Sequence, residues 1–418
     1  MMPSEPVLIH PDQALQMVLE RSSLLSSEEV SLDDSLGRVC AIEIKSEQPV
    51  PGFDSSAMDG YAVIAADTTG ATEQLPAALK LVGESRAGHP ASEVLAAGQA
   101  IGISTGAVVP QGADAVVRVE DTLEHADGIA IAVAVDPGKD IRRAGEDIAV
   151  GETVFAGGTV IGPAELGVIV AVGHSVARCT RRPRVAVLAT GDELRRPGEP
   201  LGPGLIHNTN TYSLAAQARV AGAEIVLSQV VPDDRDATVN ALRTALASAD
   251  VLVLSGGVSV GEHDHVKPAL AELGVEEVFW RVAQKPGKPL WFGAATSADR
   301  ETPTLVFGLP GNPVSAMVCF HLYVRPALHA MTGRDTVTRT VEATFDQRHK
   351  RSPGRMDFLR CRVELRSDGW HASPTKDQRS HILTSMVGAE GLARIEQERG
   401  DVEPGELVKV ELLAERSL

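Results

Sequence analysis

Apolar positions along this chain follow two periods, and the change between them marks its parts. From Arg181 to about Thr332, short apolar runs alternate with segments at helical spacing. Val185–Ala189, Ile225–Val231, Val251–Ser255, Val278–Val282, Leu290–Phe292 and Leu305–Phe307 read as strands. Thr211–Val220, Ala237–Ala247 and Lys267–Leu273 read as helices, and Pro313–Met331 as a long one with proline in its first turn. Strand and helix alternating in this way predict a parallel or mixed sheet covered by helices on both faces. The flanks differ. Residues 12–30 predict a helix with Ala14, Leu15, Val18 and Leu19 on one face. Residues 53–145 read as short strands and glycine turns, including Ala78–Val82 and Ile129–Val135. A small-residue helix follows near Pro163–Val172, and Thr338–Phe345, Phe358–Leu365 and Leu407–Leu412 return to strand.

Length refines this picture to about two to four domains. The 418 residues are 43% hydrophobic but only 3% aromatic, so the cores rest on Ala, Val, Leu and Ile. A formal charge of -17 argues against nucleic acid and anionic membranes as partners. An anionic small ligand would need a locally basic pocket, and Lys285 with Lys288, or His349-Lys350-Arg351 with Arg355, could supply one. The four cysteines are far apart and lack metal spacing, as expected of buried thiols in a reducing cytosol. No stretch reaches the ~18 apolar residues of a membrane helix, and residues 1–11 have no apolar signal core. The expectation is a soluble cytoplasmic protein.

Candidate chemistry gathers where strands end. Val251–Ser255 runs into Gly256-Gly257, then Ser259, Gly261 and Asp264. A small-residue loop after a buried strand lets a ligand approach the backbone, and its N–H groups suit an oxyanion. Two neighbouring strands end at Glu193 and at Asp233. Three carboxylates on one sheet rim suit Mg²⁺ or substrate hydroxyls, while each alone reads equally as a cap or turn residue, Asp233 above all. His263 and His265 lie two apart in a loop, which disfavours a zinc pair. Lys285-Pro286-Gly287-Lys288-Pro289 presents two charges on a stiff loop, suited to phosphate or to plain solvation. Gly308–Ser315, with Pro310 and Pro313, joins a strand to a helix start and is either an anion-friendly end or a rigid link. No nucleophile elbow, Walker loop or GxGxxG is present.

Eight stretches in order, PGFDSSAMDGYAV, ISTGAVVPQGADAVVRVED, RRAGEDI, RPRVAVLATGDEL, SGGVSVGEHDHV, KPGKPL, GLPGNPVSA and PGRMDFLR, span residues 49–360. Together they resemble the molybdenum insertase family, the MoeA-type molybdopterin molybdotransferases that include the C-terminal part of gephyrin. The resemblance implies a multidomain α/β plus β fold. Its parts would be an elongated linking domain (1–50 and 146–182), a β-rich lasso-like domain (51–145), a three-layer α/β molybdopterin-binding-like domain (183–332) and a C-terminal β-barrel-like domain (333–418). It implies insertion of molybdate into adenylylated molybdopterin, with release of AMP and help from Mg²⁺.

Residue by residue, the resemblance carries catalytic roles to Asp59, Thr105, Glu193, Asp233 and Asp264, the last three also as metal ligands. It carries cofactor contacts to Lys285, Pro310, Pro313, Arg355 and Ser380, and to these the glycine and lysine loops read above add Gly256, Gly257, Ser259 and Lys288. It implies a homodimer in which Asp59 and Thr105 serve the partner's site. It also implies exchange with the enzyme that makes adenylylated molybdopterin and with molybdoenzyme acceptors or chaperones. Arg281 stands where relatives can carry lysine, and Asp377-Gln378-Arg379 replaces a glycine-rich approach to Ser380. A molybdopterin adenylyltransferase resembles residues 183–332 but usually lacks the flanking β domains. A gephyrin-like scaffold would not need the acidic and lysine loops.

Overall fold

A computed structural model describes residues 8–125, 128–257, 265–297, 300–351 and 353–413. The chain falls into two compact units. One comprises Met1–Glu28, Gly37–Ala41 and Arg178–Leu418, the other Glu29–Leu36 and Ile42–Ala177.

The larger unit is built on a six-stranded sheet. Its order is Glu224–Val231, Arg184–Thr190, Val251–Ser255, Thr304–Leu309, Trp291–Ala295, Glu276–Trp280. The first four strands run parallel, and the last two pair antiparallel. The apolar runs are continuous because both faces are buried. Val185, Val187, Val251 and Val253 face one core with Leu214 and Ala218 of helix Asn210–Val220. The alternate residues Ala186, Leu188, Leu252 and Leu254 face a second core with Leu242 and Ala245 of helix Arg235–Ser248.

Downstream, Met356–Arg366, Gly369–Pro374, Thr340–Phe345, Leu407–Leu412 and Gly391–Ile395 follow one another, and the last pairs back to the first. This closed five-stranded barrel has no open edge. Phe345, Leu359, Cys361, Ala372 and Val410 fill it. Gln284–Lys285 joins the barrel alongside Met356–Asp357. The smaller unit holds a second six-stranded sheet, in the order Ala115–Arg118, Gly60–Val63, Gln99–Ile103, Ala77–Ser85, Gly128–Ile131, Thr122–His125. Cys40, Cys179, Cys319 and Cys361 are all buried, and none forms a disulfide. Among the described residues no helix is long and apolar enough to cross a membrane.

Four sequence expectations change. The helix expected over 12–30 covers only Pro11–Leu19, and Ser27–Ser31 is a strand. Ser22 Oγ donates to Val18 O at 2.9 Å, so a side chain competes for the helical carbonyl just past the end. The strand expected over Val278–Val282 is Glu276–Trp280, because Arg281 takes φ 70°, outside the extended region. The long helix from Pro313 is not uniform: Phe320–Val324 widens to a π turn between Pro313–Cys319 and Arg325–Thr332. Pro326 lacks the N–H that would continue the α ladder, and the wider turn accommodates the gap. Asp233 is not the helix cap. Asp234 is, accepting Ala237 N at 2.8 Å.

Candidate functional site

The parallel strands deliver their carboxyl ends to one rim, where a cleft of about 340 Å³ opens. Glu193, Gly256 and Pro313 line it, as expected from the sequence. Asn208, Asn210, Ser255, Gly311 and His381 line it as well. Asn210 is the joint between two loops: its Nδ2 donates to Ser255 Oγ at 2.7 Å and to Gly311 O at 2.8 Å. Gly256 N also donates to Leu309 O at 3.2 Å. The loop after Val251–Ser255 and the loop after Thr304–Leu309 are therefore tied at their roots. Gly257 has φ +65°, and a Cβ there would sit 2.5 Å from Val266 Cγ2 and 2.8 Å from Thr190 Oγ1. A side chain is excluded, which keeps this backbone close-packed at the rim.

The acidic side of the rim is partly in place. Asp192 and Asp233 cross-link the ends of two adjacent strands: Asp192 N donates to Asp233 Oδ2 at 3.2 Å, and Asp233 N to Asp192 Oδ1 at 3.1 Å. Glu193 follows directly and enters the cleft. Ser259 and Asp264 lie outside the described residues. Among the described residues no group of three His, Cys, Asp or Glu side chains is placed to hold a metal by itself. The donors available are carboxylate oxygens, which fit a hard cation such as Mg²⁺ completed by water or phosphate ligands.

A cationic loop lies at the junction of sheet and barrel. Lys285 is exposed and Lys288 half-buried, while Gln284, Pro286 and Gly287 are buried beneath them. Gln284 organises the loop from below. Its Nε2 donates to Pro286 O at 3.0 Å and to Cys319 Sγ at 3.4 Å, and its Oε1 accepts from the Tyr323 hydroxyl. Burial pushes the Cys319 thiol up to about 12 and raises the Tyr323 hydroxyl well above its ordinary value, so both stay protonated at neutral pH. Met356 N donates to Ala283 O at 2.8 Å, which brings Arg355 to the same neighbourhood as Lys285. Pro310 is buried at the head of the neighbouring loop.

Ser380 is half-buried and precedes His381, which lines the cleft. The segment replacing the glycine-rich approach is fastened to the barrel. Fully buried Arg360 donates from Nε to Ser385 Oγ at 3.1 Å and from Nη2 to Asp377 O and Arg379 O at 3.4 Å. Gln378 Oε1 accepts Arg360 N at 2.9 Å. Arg281 lies with its guanidinium 4.1 Å from the centre of the Trp280 ring.

Within the smaller unit, Asp59 and Thr105 come together. Gly60–Val63 and Gln99–Ile103 pair antiparallel with Gly60 opposite Ile103, so Asp59 before one strand meets Thr105 after the other. Thr105 N donates to Asp59 Oδ1 at 2.8 Å. The sequence reasoning missed Asn208, Asn210 and His381. The run Asn208-Thr209-Asn210-Thr211 before an apolar helix was a visible signal, since such residues cap helices and bond locally. Nothing in the sequence alone marked His381.

Comparison with known proteins covers nearly all of this architecture. Residues 9–173 match the MoeA N-terminal region (domain I and II), 186–330 the probable molybdopterin binding domain, and 342–413 the MoeA C-terminal region (domain IV). A molybdopterin molybdenumtransferase of Haemophilus influenzae is 35% identical over 412 residues, covering 96% of this chain and 97% of its own length. Molybdopterin molybdenumtransferase 2 of Mycobacterium tuberculosis is 37% identical over 391 residues, covering 91% and 94%. The crystal structure of a molybdopterin biosynthesis MoeA protein from Pyrococcus horikoshii superposes with a TM-score of 0.83 at 33% identity, covering 97% of this chain and 99% of that one.

Proposed function

We propose, from the premise that the chain belongs to the MoeA family of molybdopterin molybdenumtransferases, that it inserts molybdate into adenylylated molybdopterin and releases AMP. The observation that carries the reading is the pairing of two opposed charge environments on one scaffold. The strand-end rim offers carboxylates and tied glycine loops, and the sheet–barrel junction offers Lys285, Lys288 and Arg355. Molybdate and the phosphoanhydride are anionic, so a chain of charge -17 needs that local cationic group to hold them.

In this reading Lys285, Lys288 and Arg355 bind molybdate and Ser380 borders it. The glycine loops at Gly256, Gly257 and Ser259, with Pro310 and Pro313, shape the pterin nucleotide pocket. Glu193, Asp233 and Asp264 would hold Mg²⁺, which when bound neutralises charge on the phosphates. Water attacks phosphorus, or an oxygen of molybdate does so and stays with AMP. The phosphoanhydride bond breaks and AMP leaves. The two dithiolene sulfurs replace one oxygen on molybdenum, which by the water route departs as water with the two thiol protons. No activated Ser or Cys is required, since positioning and charge neutralisation supply the catalysis. The reading includes a cytoplasmic homodimer in which Asp59 and Thr105 of one subunit serve the cleft of the other. It also includes exchange with the enzyme that supplies the adenylylated pterin and with molybdoenzyme acceptors or chaperones.

The test is AMP release from adenylylated molybdopterin, with and without molybdate and Mg²⁺. Release dependent on both is expected, and Asp264→Asn should abolish it. ATP-driven formation of adenylylated product instead would overturn the assignment in favour of an adenylyltransferase.

A further inference from the structure

The chain passes between the two units at four points, and two of these crossings bring cysteines together. The chain leaves the larger unit after Ala41 and returns to it at Arg178. Cys40 and Cys179 lie one residue inside those points, both in the larger unit, and face each other across an antiparallel bridge. Two hydrogen bonds define the register: Ala41 N donates to Arg178 O at 2.9 Å, and Thr180 N to Val39 O at 2.9 Å. Both bonds flank the pair and neither joins it, which makes this the non-hydrogen-bonded site of an antiparallel ladder. At such a site the Cα atoms approach to about 4.5 Å and the side chains stand closest. A disulfide spans Cα separations of about 4.4–6.8 Å, so the backbone is already placed for one.

The other two cysteines have no such neighbour. Cys361 stands opposite Pro374 and Gly391, and Cys319 ends helix Pro313–Cys319 with Gln284 donating to its sulfur. Burial pushes both of their thiols up to about 12. Burial, with Glu28, also raises the Cys179 thiol, but Arg38 and Arg182 act against it, and nearby guanidinium charge favours the thiolate. Arg38 is held beside the pair, its Nη2 donating at 3.1 Å to the carbonyl of Thr180, the residue after Cys179. Cys40 and Cys179 are 1% and 0% exposed, so an oxidant reaches them only when the bridge opens. Cys40 belongs to no strand and meets Cys179 through an isolated bridge, flanked by the two bonds above, so the opening required is local.

We propose that Cys40 and Cys179 are a modification site, a pair that forms a reversible disulfide and so ties together two of the four crossings between the units. Hydrogen peroxide is the oxidant. One thiolate attacks a peroxide oxygen, the O–O bond breaks, and a sulfenic acid forms as the first water leaves. The second sulfur then attacks the sulfenic sulfur, the S–S bond forms, and the second water leaves. Two electrons and two protons pass from the thiols to the peroxide. A dithiol reductant reverses the step by exchange. The closed loop contains the whole stretch 42–177, and with it Asp59 and Thr105.

The test treats the full-length protein with hydrogen peroxide, alkylates it with iodoacetamide under denaturing conditions and digests it without reductant. Mass spectrometry should find a peptide pair joining Cys40 to Cys179, lighter by two hydrogens than the same peptides reduced. Cys319 and Cys361 should be recovered alkylated, and dithiothreitol should remove the joined pair. Cys179→Ala should abolish the cross-link, while Cys361→Ala should form it as the parent does. The treatment is repeated in urea just below the unfolding transition, where local opening is frequent, so that a closed bridge is distinguished from an unsuited geometry. No joined pair in either condition, sulfinic acid at Cys40 and Cys179 without a cross-link, or pairing with Cys319 or Cys361 in comparable yield would each overturn the proposal.

Discussion

Replacing Gly287 by alanine should damage the cationic loop from beneath without touching either lysine. Gly287 has φ +102°, a conformation an alanine holds only at a cost of about 1–3 kcal/mol. A Cβ there would also lie 2.4 Å from Cys319 Sγ and 2.5 Å from Gln284 Nε2. Neither neighbour can move freely, since Gln284 is bonded to Pro286 O, Cys319 and Tyr323. Overpacking of this kind costs about 1–3 kcal/mol more, so about 2–6 kcal/mol is expected in all. Gly274 in the same unit is the control, with φ +78° and nothing within 4 Å of its Cβ position. Gly274→Ala therefore reports the backbone cost alone. Urea unfolding of both variants separates the two contributions, and adding Cys319→Ala to Gly287→Ala should recover part of the loss. The same displacement moves Lys285 and Lys288, so the apparent KM for molybdate in AMP release should rise for Gly287→Ala and not for Gly274→Ala. Equal unfolding midpoints for the two glycine variants, or no recovery with Cys319→Ala, would refute the account of the loop.

Other perturbations test the remaining parts. Asp250 is fully buried and receives Arg181 Nη1 at 2.6 Å and Arg184 N at 2.8 Å, with Arg300 also paired to it, so Asp250→Asn should cost about 1.5–3 kcal/mol in urea unfolding by weakening charge-assisted hydrogen bonds to half-buried guanidinium groups. Burial alone would raise the Asp250 carboxyl, but the Arg181 hydrogen bonds, the Arg184 N–H and the nearby charges outweigh it and hold it below its ordinary value. Its stabilisation is therefore present above the unfolded-state value and lost as pH falls through the lower folded value, so stability should drop below about pH 4 in the parent and less steeply in Asp250→Asn. Asn210→Ala removes both donations that tie the two glycine loops, at about 1–3 kcal/mol, and AMP release should fall by more than the unfolding midpoint would suggest. Asn210→Asp replaces the double donor with an acceptor and should fall at least as far. Heterodimers pairing an Asp59→Ala subunit with a Glu193→Gln subunit should regain activity that both parent homodimers lack, because a shared site leaves one complete copy; inactivity of the purified heterodimer would exclude the shared arrangement.

The larger unit's strands were legible because burial on both faces leaves an uninterrupted apolar run, as in Val251–Ser255, bounded by glycine or by acidic residues. The strand ends then bring Glu193, Gly256 and Pro313 together at one cleft. What failed was what depends on a single local competitor. A hydroxyl at Ser22 ends a helix that periodicity would continue, and Arg281 leaves the extended region that its apolar neighbours predict. Of the two structural readings open for Asp233, cap or turn, the cap falls to Asp234, an adjacent and chemically identical residue that only geometry distinguishes. Asn210 stands in a visible run of capping-type residues, but its partners lie 45 and more residues distant, so that run marks a helix start and not the tie between loops. Nothing local marks His381, which the fold brings to the cleft.

The hydrogen bonds that fix the two loop systems, through Asn210 and through Gln284, come from neutral groups, unlike the ion pairs used elsewhere. Elsewhere the protein uses carboxylate–guanidinium pairs freely, as at Asp250 and at Asp12 with Arg394. Beneath Lys285 and Lys288 it uses an amide, a phenol and a thiol, all neutral at neutral pH. Neither lysine forms an ion pair among the described residues. A carboxylate in that support would have fixed the loop equally well but would have partly cancelled its charge. Neutral hydrogen bonds fix the backbone without cancelling the charge of either lysine, which is what the proposed binding of an anionic substrate would require of a protein of net charge -17. The Asn210 joint follows the same logic on the acidic rim, tying the glycine loops through an amide that adds no charge beside Glu193.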